Sequence, residues 1–150
     1  PDVALFGEKD YQQLQVIRRL NVDLDLGVEI VGMPTIREVD GLAMSSRNSY
    51  LAPDERQRAL AISRGLFEAR AHVERGERNV EKLIAGIRSH LQAADLREDY
   101  VEIRHADTLA PLATVTDPRL ARVLVAVFSG KTRLIDNMAL SPVDLPKATG

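Results

Sequence analysis

Two short stretches hold most of the side chains that could do chemistry. The first is Gly7-Glu8-Lys9-Asp10-Tyr11-Gln12-Gln13, and the second is GLAMSSRNSYL, from Gly41 to Leu51. In the first, Gly7 permits close approach to the main chain and Lys9 supplies a cation. Asp10 can accept from ribose hydroxyls, and Gln13 lies one helical turn along and can face the same pocket. In the second, the Ser45 and Ser46 hydroxyls precede Arg47, whose guanidinium forks onto two oxygens of a polyphosphate while the hydroxyls donate to others. Each stretch also has a plainer reading. The first is then a polar strand-to-helix turn with Asp10 as a cap, and the second a solvated linker with Arg47 exposed.

The elements around these stretches decide between the readings. Residues 3–6, Val-Ala-Leu-Phe, form a short apolar run stopped by Gly7, the pattern of a strand buried on both faces. Asp10 stands at a helix N-cap position, and Leu14, Ile17, Leu20 and Leu24 follow at helical spacing, with Gly27 as the stop. Residues 28–32 read as a second strand, so residues 1–39 form a βαβ unit with parallel strands and a right-handed crossover. Open sheets of this kind bind ligands at the carboxyl ends of their strands, and helix N-termini favour phosphate. Both stretches follow such strand ends, so each reading as a site supports the other.

Residues 34–49 lack periodicity and read as a loop. Pro53 suits the first turn of a helix whose apolar face is Ala59, Ile62, Leu66, Ala69 and Val73, with Gly76 as its stop. Asn79 caps a second helix with Val80, Leu83, Ile84, Ile87, Leu91 and Ala94 inward. Strands are predicted at 100–104, 122–128 and 132–138, with a hairpin through Ser129-Gly130-Lys131 and the most apolar run, 123–128, in the centre. The expected fold class is α/β plus α+β. It comprises the end of a Rossmann-like parallel sheet, then a small domain of helices on a three-stranded antiparallel sheet. A two-stranded parallel unit leaves edges and faces that one helix cannot cover, so more strands are expected to precede Pro1 in the natural protein.

The 150 residues are 45% hydrophobic with a formal net charge of -2, which suits a globular core and argues against a nucleic-acid partner. The absence of cysteine excludes disulfides and thiolate metal sites and is compatible with a reducing cytosol. No apolar run approaches the roughly 20 residues of a membrane-spanning helix.

GEKDYQQL, GMPTIREVDGLAMSSRNSYL and GKTRLIDN, in this order and spacing, closely resemble the pantothenate synthetase (pantoate–β-alanine ligase) family. The likeness runs the length of the chain and covers the C-terminal half or so of the family's enzyme. It implies a cytoplasmic, AMP-forming ligase, homodimeric at full length, that joins pantoate to β-alanine with ATP and magnesium through a pantoyl-adenylate. It also implies a division into the end of the nucleotide-binding domain (1–39), a phosphate loop and hinge (40–52) and a C-terminal domain (53–150). Ala43-Met44-Ser45-Ser46-Arg47 looks like the family's form of the Lys-Met-Ser-Lys-Ser loop, with a small residue for the first Lys and Arg for the second.

By position, the resemblance assigns phosphate oxygens to Lys9, Ser45, Ser46 and Arg47. It assigns the ribose to the Gly7 main chain and Asp10, pantoate to Gln13, and the adenine edge to the main chain at Ile36 and Met44. The family's histidine motif has no counterpart in this sequence, so the chain alone is expected to be inactive. His72, His90 and His105 read as solvated or structural, and Asp136-Asn137 as a pair bonded to neighbouring main chain. Two alternatives stay open: another adenylating enzyme of the nucleotidyltransferase superfamily, or a non-catalytic interaction or dimerisation module.

Overall fold

The computed structural model describes residues 1–141. Strand β1 (Val3–Gly7) leads through a 3-10 turn at Glu8–Asp10 into α1 (Tyr11–Asp23), and β2 (Glu29–Met33) lies parallel to β1. A long connection ends in a 3-10 turn at Ser46–Tyr50. Then follow α2 (Pro53–Glu74), α3 (Val80–Ala93) and the strands β3 (Arg97–His105), β4 (Ala121–Ser129) and β5 (Thr132–Ala139). The last three form an antiparallel sheet in the order β3-β4-β5, with the apolar β4 in the centre as its composition requires.

Alternation along β4 gives each face of this sheet its own core. Val123, Val125 and Val127 pack with Val101, Ile103, Leu134 and Met138 beneath the predicted faces of α2 and α3. Leu124 points the other way and packs against Tyr11 and Leu14 of α1, flanked by Phe6, Ile30 and Tyr100. The parallel unit is thus the second cover of the antiparallel sheet. Tyr11 extends the contact by donating from its hydroxyl to the Ala106 carbonyl at 2.8 Å.

Packing on that sheet also corrects the expected faces of the first unit. β1 is half covered rather than buried on both sides: Ala4 and Phe6 turn inward, while Val3 and Leu5 are exposed. The α1 stripe fails at its far end. Leu14 is buried and Ile17 half-buried, but Leu20 and Leu24 lie in the open, because Tyr11 and Leu14 already fix the side that meets Leu124. The helix stops at Asp23, before Gly27, with Asp25 in the left-handed region at φ 49°. The Asp25 and Leu26 N–H groups close the end on the Val22 and Asn21 carbonyls, and the Asn21 amide then pairs with the Val28 main chain to start β2.

The later helices end in the same way, α2 through Gly76 at φ 103° and α3 through Asp95 at φ 53°. Asn79 caps α3 by accepting from the Lys82 N–H at 3.0 Å, as expected. The two glycines of this region make opposite demands. Gly76 needs its left-handed backbone, so Gly76→Ala should lower the unfolding free energy by about 1–2 kcal/mol. Gly86, inside α3 with open space where a Cβ would sit, should gain about 0.5–1 kcal/mol as alanine. Urea denaturation of the two variants checks both signs.

Candidate active site

The turn carrying Lys9 is held from the far end of the sequence. The Asn137 side-chain amide donates to the Glu8 carbonyl at 2.9 Å and to the Lys9 carbonyl at 2.8 Å. Its Oδ1 accepts from Arg122 Nε at 2.8 Å, which fixes the orientation of the amide. Arg122 also reaches Glu8 Oε2 at 3.0 Å and lies over the Tyr11 ring at 3.8 Å. None of the buried side-chain nitrogens and oxygens of this seam lacks a partner, as burial demands. The Lys9 side chain is half-buried, and no carboxylate pairs with it among the described residues.

The second stretch is held by the residue next door. Asp136, 3% exposed, takes a two-pronged ion pair from Arg37, at 2.7 and 3.0 Å. Arg37 donates onward to the Gly41 carbonyl at 3.1 Å. The expected featureless loop is therefore a tight reversal. Arg37 and Ala43 form a bridge, Glu38 and Leu42 are bonded, and the Met44 N–H donates to the Ile36 carbonyl at 2.9 Å. Buried Leu42 and Ala43 anchor it, and Asp40 pairs with Arg56, which holds the exposed Asp40 carboxyl below its ordinary range. Beyond this anchor Ser45 caps the 3-10 turn, its Oγ accepting from the Arg47 N–H at 3.2 Å, and Asn48 bonds the Ala43 carbonyl. The Arg47 guanidinium is exposed and has no carboxylate partner among the described residues.

Lys9, Ser45 and Arg47 meet in one cleft that runs along β5. Sequence reasoning missed three of its other walls: Asn48, Arg133 and Asp136. Arg133 stands in the motif GKTRLIDN, so its type was visible, but its partner was not: it bonds Asp99 at 2.9 Å, 34 positions back. The reading of Asp136-Asn137 as a locally bonded pair needs correction. One such bond exists, from the Asn137 N–H to Asp136, but both side chains mainly hold segments about 100 residues or more away.

The remaining expected residues do not line the cleft. Asp10 sits at the N-cap of α1 without making the cap bond, so its exposed carboxylate is uncommitted. Gly7 has ordinary extended backbone at φ -68° with open space beside it, and Gln13 is exposed on α1. Ile36 and Met44 are brought together by their main-chain bond, and Ser46 opens the 3-10 turn. The cleft itself offers a hydroxyl and two cations without a carboxylate partner among the described residues, Lys9 and Arg47, with Arg133 already paired to Asp99. Its one carboxylate, Asp136, is already neutralised by Arg37. Such a lining favours negatively charged oxygens.

The family model for pantoate-beta-alanine ligase matches residues 1–139. This chain belongs to the pantoate–β-alanine ligase family. It is 67% identical over 140 residues to pantothenate synthetase from Myxococcus xanthus, covering 93% of this chain and 48% of that protein. The crystal structure of pantothenate synthetase from Thermus thermophilus superposes with a TM-score of 0.88 at 44% identity, over 95% of this chain and 51% of that one. The ligase from Francisella tularensis, solved in complex with beta-gamma ATP and beta-alanine, matches with a TM-score of 0.61 at 29% identity, over 93% of this chain and 44% of that one. The chain thus spans about half the length of the ligases it matches.

Within this ligase-family chain the three histidines lie away from the cleft. His105 Nδ1 accepts from the Asp107 and Thr108 N–H groups and shapes a turn. His72 of α2 and His90 of α3 both bond Glu68, with Arg75 against the other His72 nitrogen. Among the described residues no group of three or more His, Asp or Glu is placed to hold a metal. The bond from His90, then that from His72, holds the Glu68 carboxyl below its ordinary value of 4.5. A lowered folded pKa means stability that is complete above the ordinary value and lost as the pH falls through the folded one. Glu68→Gln should therefore melt below the parent at pH 6, by the small margin of a solvent-exposed pair, and the gap should close below about pH 4.5. Thermal melts of both proteins across that range measure it.

Proposed function

We propose that this chain forms one wall of the active site of a pantoate–β-alanine ligase. The reaction is the ATP-dependent joining of pantoate to β-alanine, releasing AMP and pyrophosphate. The observation that carries the reading is the meeting of Lys9, Ser45 and Arg47 in one cleft, although the first two lie 36 positions apart. In the first step a pantoate carboxylate oxygen attacks the α-phosphorus of ATP and the bond to the β-phosphate oxygen breaks. The electron pair leaves with pyrophosphate. Charge grows on the leaving oxygens, and cations and hydroxyls already in place lower that barrier most. Lys9, Arg47, Ser45 and Ser46 take this role. The exposed Asp10 carboxylate and the open main chain at Gly7 suit the ribose, the paired main chain at Ile36 and Met44 the adenine edge, and Gln13 pantoate.

In the second step the β-alanine amine attacks the acyl carbon of pantoyl-adenylate and AMP leaves. No enzyme-bound covalent intermediate is required, and none of these residues is assigned as a base, because positioning alone can supply much of the rate. The Francisella tularensis ligase, described with an ATP compound and β-alanine bound, supports both substrates. Magnesium belongs to the proposal as a companion of ATP. The described residues do not fit a protein-held magnesium, since the cleft presents cations and its single carboxylate is engaged by Arg37.

The proposal places residues 1–39 in the nucleotide-binding domain, 40–52 as phosphate loop and hinge, and 53–150 in a C-terminal domain. The whole enzyme would be a cytoplasmic homodimer acting on small molecules only. No helix among the described residues is long and apolar enough to cross a membrane. Pyrophosphate exchange into ATP by the whole protein, driven by pantoate and not by other hydroxy acids, separates this reading from another adenylating enzyme. No exchange with any acid would remove the enzymatic reading altogether.

Two substitutions in the whole protein divide the assigned roles. Arg47→Ala should lower turnover roughly 10²–10³-fold, about 3–4 kcal/mol, with a smaller rise in the Michaelis constant for ATP. A change below about threefold would take Arg47 out of the mechanism. Gln13→Ala should raise the Michaelis constant for pantoate more than that for ATP, since a hydroxyl or carboxylate of pantoate loses its partner. Steady-state kinetics with each substrate varied reads the difference, and equal effects on both would count against the assignment.

A further inference from the structure

The two arms of the cleft hang from adjacent residues of one strand. Successive side chains on a strand point to opposite faces, and the register of β4 with β5 shows the split. Asp136 pairs with Val125 on the face under α2, and Asn137 with Leu124 on the face under α1. From the first face Asp136 grips Arg37, and Arg37 grips Gly41 just ahead of the Ser45–Arg47 segment. From the second, Asn137 grips the carbonyls of Glu8 and Lys9 themselves. Both contacts end on the protein's own side chains and main chain, and Asp136 itself lines the cleft.

We propose that Asp136 and Asn137 are positioning residues that set the gap between Lys9 and Arg47, and so the fit of the cleft to the leaving pyrophosphate. This rests on the functional reading above. Three features make the dipeptide suited to the task. Both residues are 3% exposed, so neither is swayed by solvent. Asn137 cannot turn over, because Arg122 can only donate and therefore selects Oδ1, leaving the nitrogen for the two carbonyls. Asp136 meets Arg37 by two parallel bonds, which fix angle as well as distance.

The change Asn137→Asp keeps the shape and removes both donations, setting carboxylate oxygens against two carbonyls. Asp136→Asn keeps the shape and removes the charge that fixes Arg37. In the whole protein each should slow pantoate-dependent pyrophosphate exchange about 10- to 100-fold, the scale of a misplacement of about 1 Å. A merely structural role would slow the reaction too, so double variants provide the distinguishing readout. If Asn137 acts through Lys9, adding Asn137→Asp to Lys9→Ala should change the rate by less than about twofold, and likewise Asp136→Asn on Arg47→Ala. Rates are taken per folded molecule, well below each melting temperature. If Asn137→Asp does not fold, Asn137→Ser, whose short hydroxyl can serve at most one carbonyl, takes its place. Full multiplication of the effects in both double variants, or single variants within about twofold of the parent, would overturn the proposal. A parent protein that exchanges no pyrophosphate would instead overturn the functional reading on which it rests.

Discussion

A buried carboxamide joins the two parts of this molecule. Asn137 ties the turn after β1 to the last strand of a sheet that belongs to the other end of the chain. Its network spans Arg122, Glu8 and Tyr11, and no buried side-chain nitrogen or oxygen in it is left without a partner. In a low-dielectric seam an unmatched group costs about 1–3 kcal/mol, so the seam accepts one arrangement and rejects slipped ones. The apolar contact of Leu124 with Tyr11 and Leu14 supplies attraction without direction. The polar seam supplies the direction. Without both, Lys9 would have no defined place relative to the loop that carries Arg47.

The antiparallel sheet works as a partition with different tasks on its sides. One side carries the large aliphatic core beneath α2 and α3, where burial of whole leucines and isoleucines dominates. The other carries a small core and a dense polar seam. The side with many apolar contacts is suited to keeping the chain folded. Hydrogen bonds and ion pairs constrain angles as apolar contacts do not, and they place groups from both sides: the Asn137 seam on the second and the Asp136–Arg37 pair on the first. The cleft forms where the two regimes meet along β5, and its lining draws on both: Ile62 and Leu134 from one, Lys9 and Arg133 from the other.

Much of this was legible in the sequence, and the legible part has a common cause. The faces of α2 and α3, the Asn79 cap, the hairpin at Gly130 and the central place of β4 all follow from patterns within a few residues of one another. The side-chain types of Lys9, Ser45 and Arg47 were legible too, and the structure brings the three together along one cleft. What escaped depends on partners far away in the chain. Asp136 and Asn137 look like any polar pair near a strand end, and nothing local says that one reaches Arg37 and the other Lys9. Leu20 and Leu24 failed for the converse reason. Their spacing fitted a helix stripe, but which part of a stripe is covered depends on what it meets, and α1 meets the sheet only near its start.

The lining of the cleft bears on what can reach it. Taken as a whole the chain carries a formal charge of -2, while Lys9 and Arg47, unpaired with any carboxylate among the described residues, place two cations in one narrow furrow. At physiological ionic strength a charge is felt over about 8 Å, so an anion far from the surface senses little and an anion inside the furrow senses both. What the furrow adds is therefore selection at close range: it does not draw anions from afar, but it favours one that has already entered.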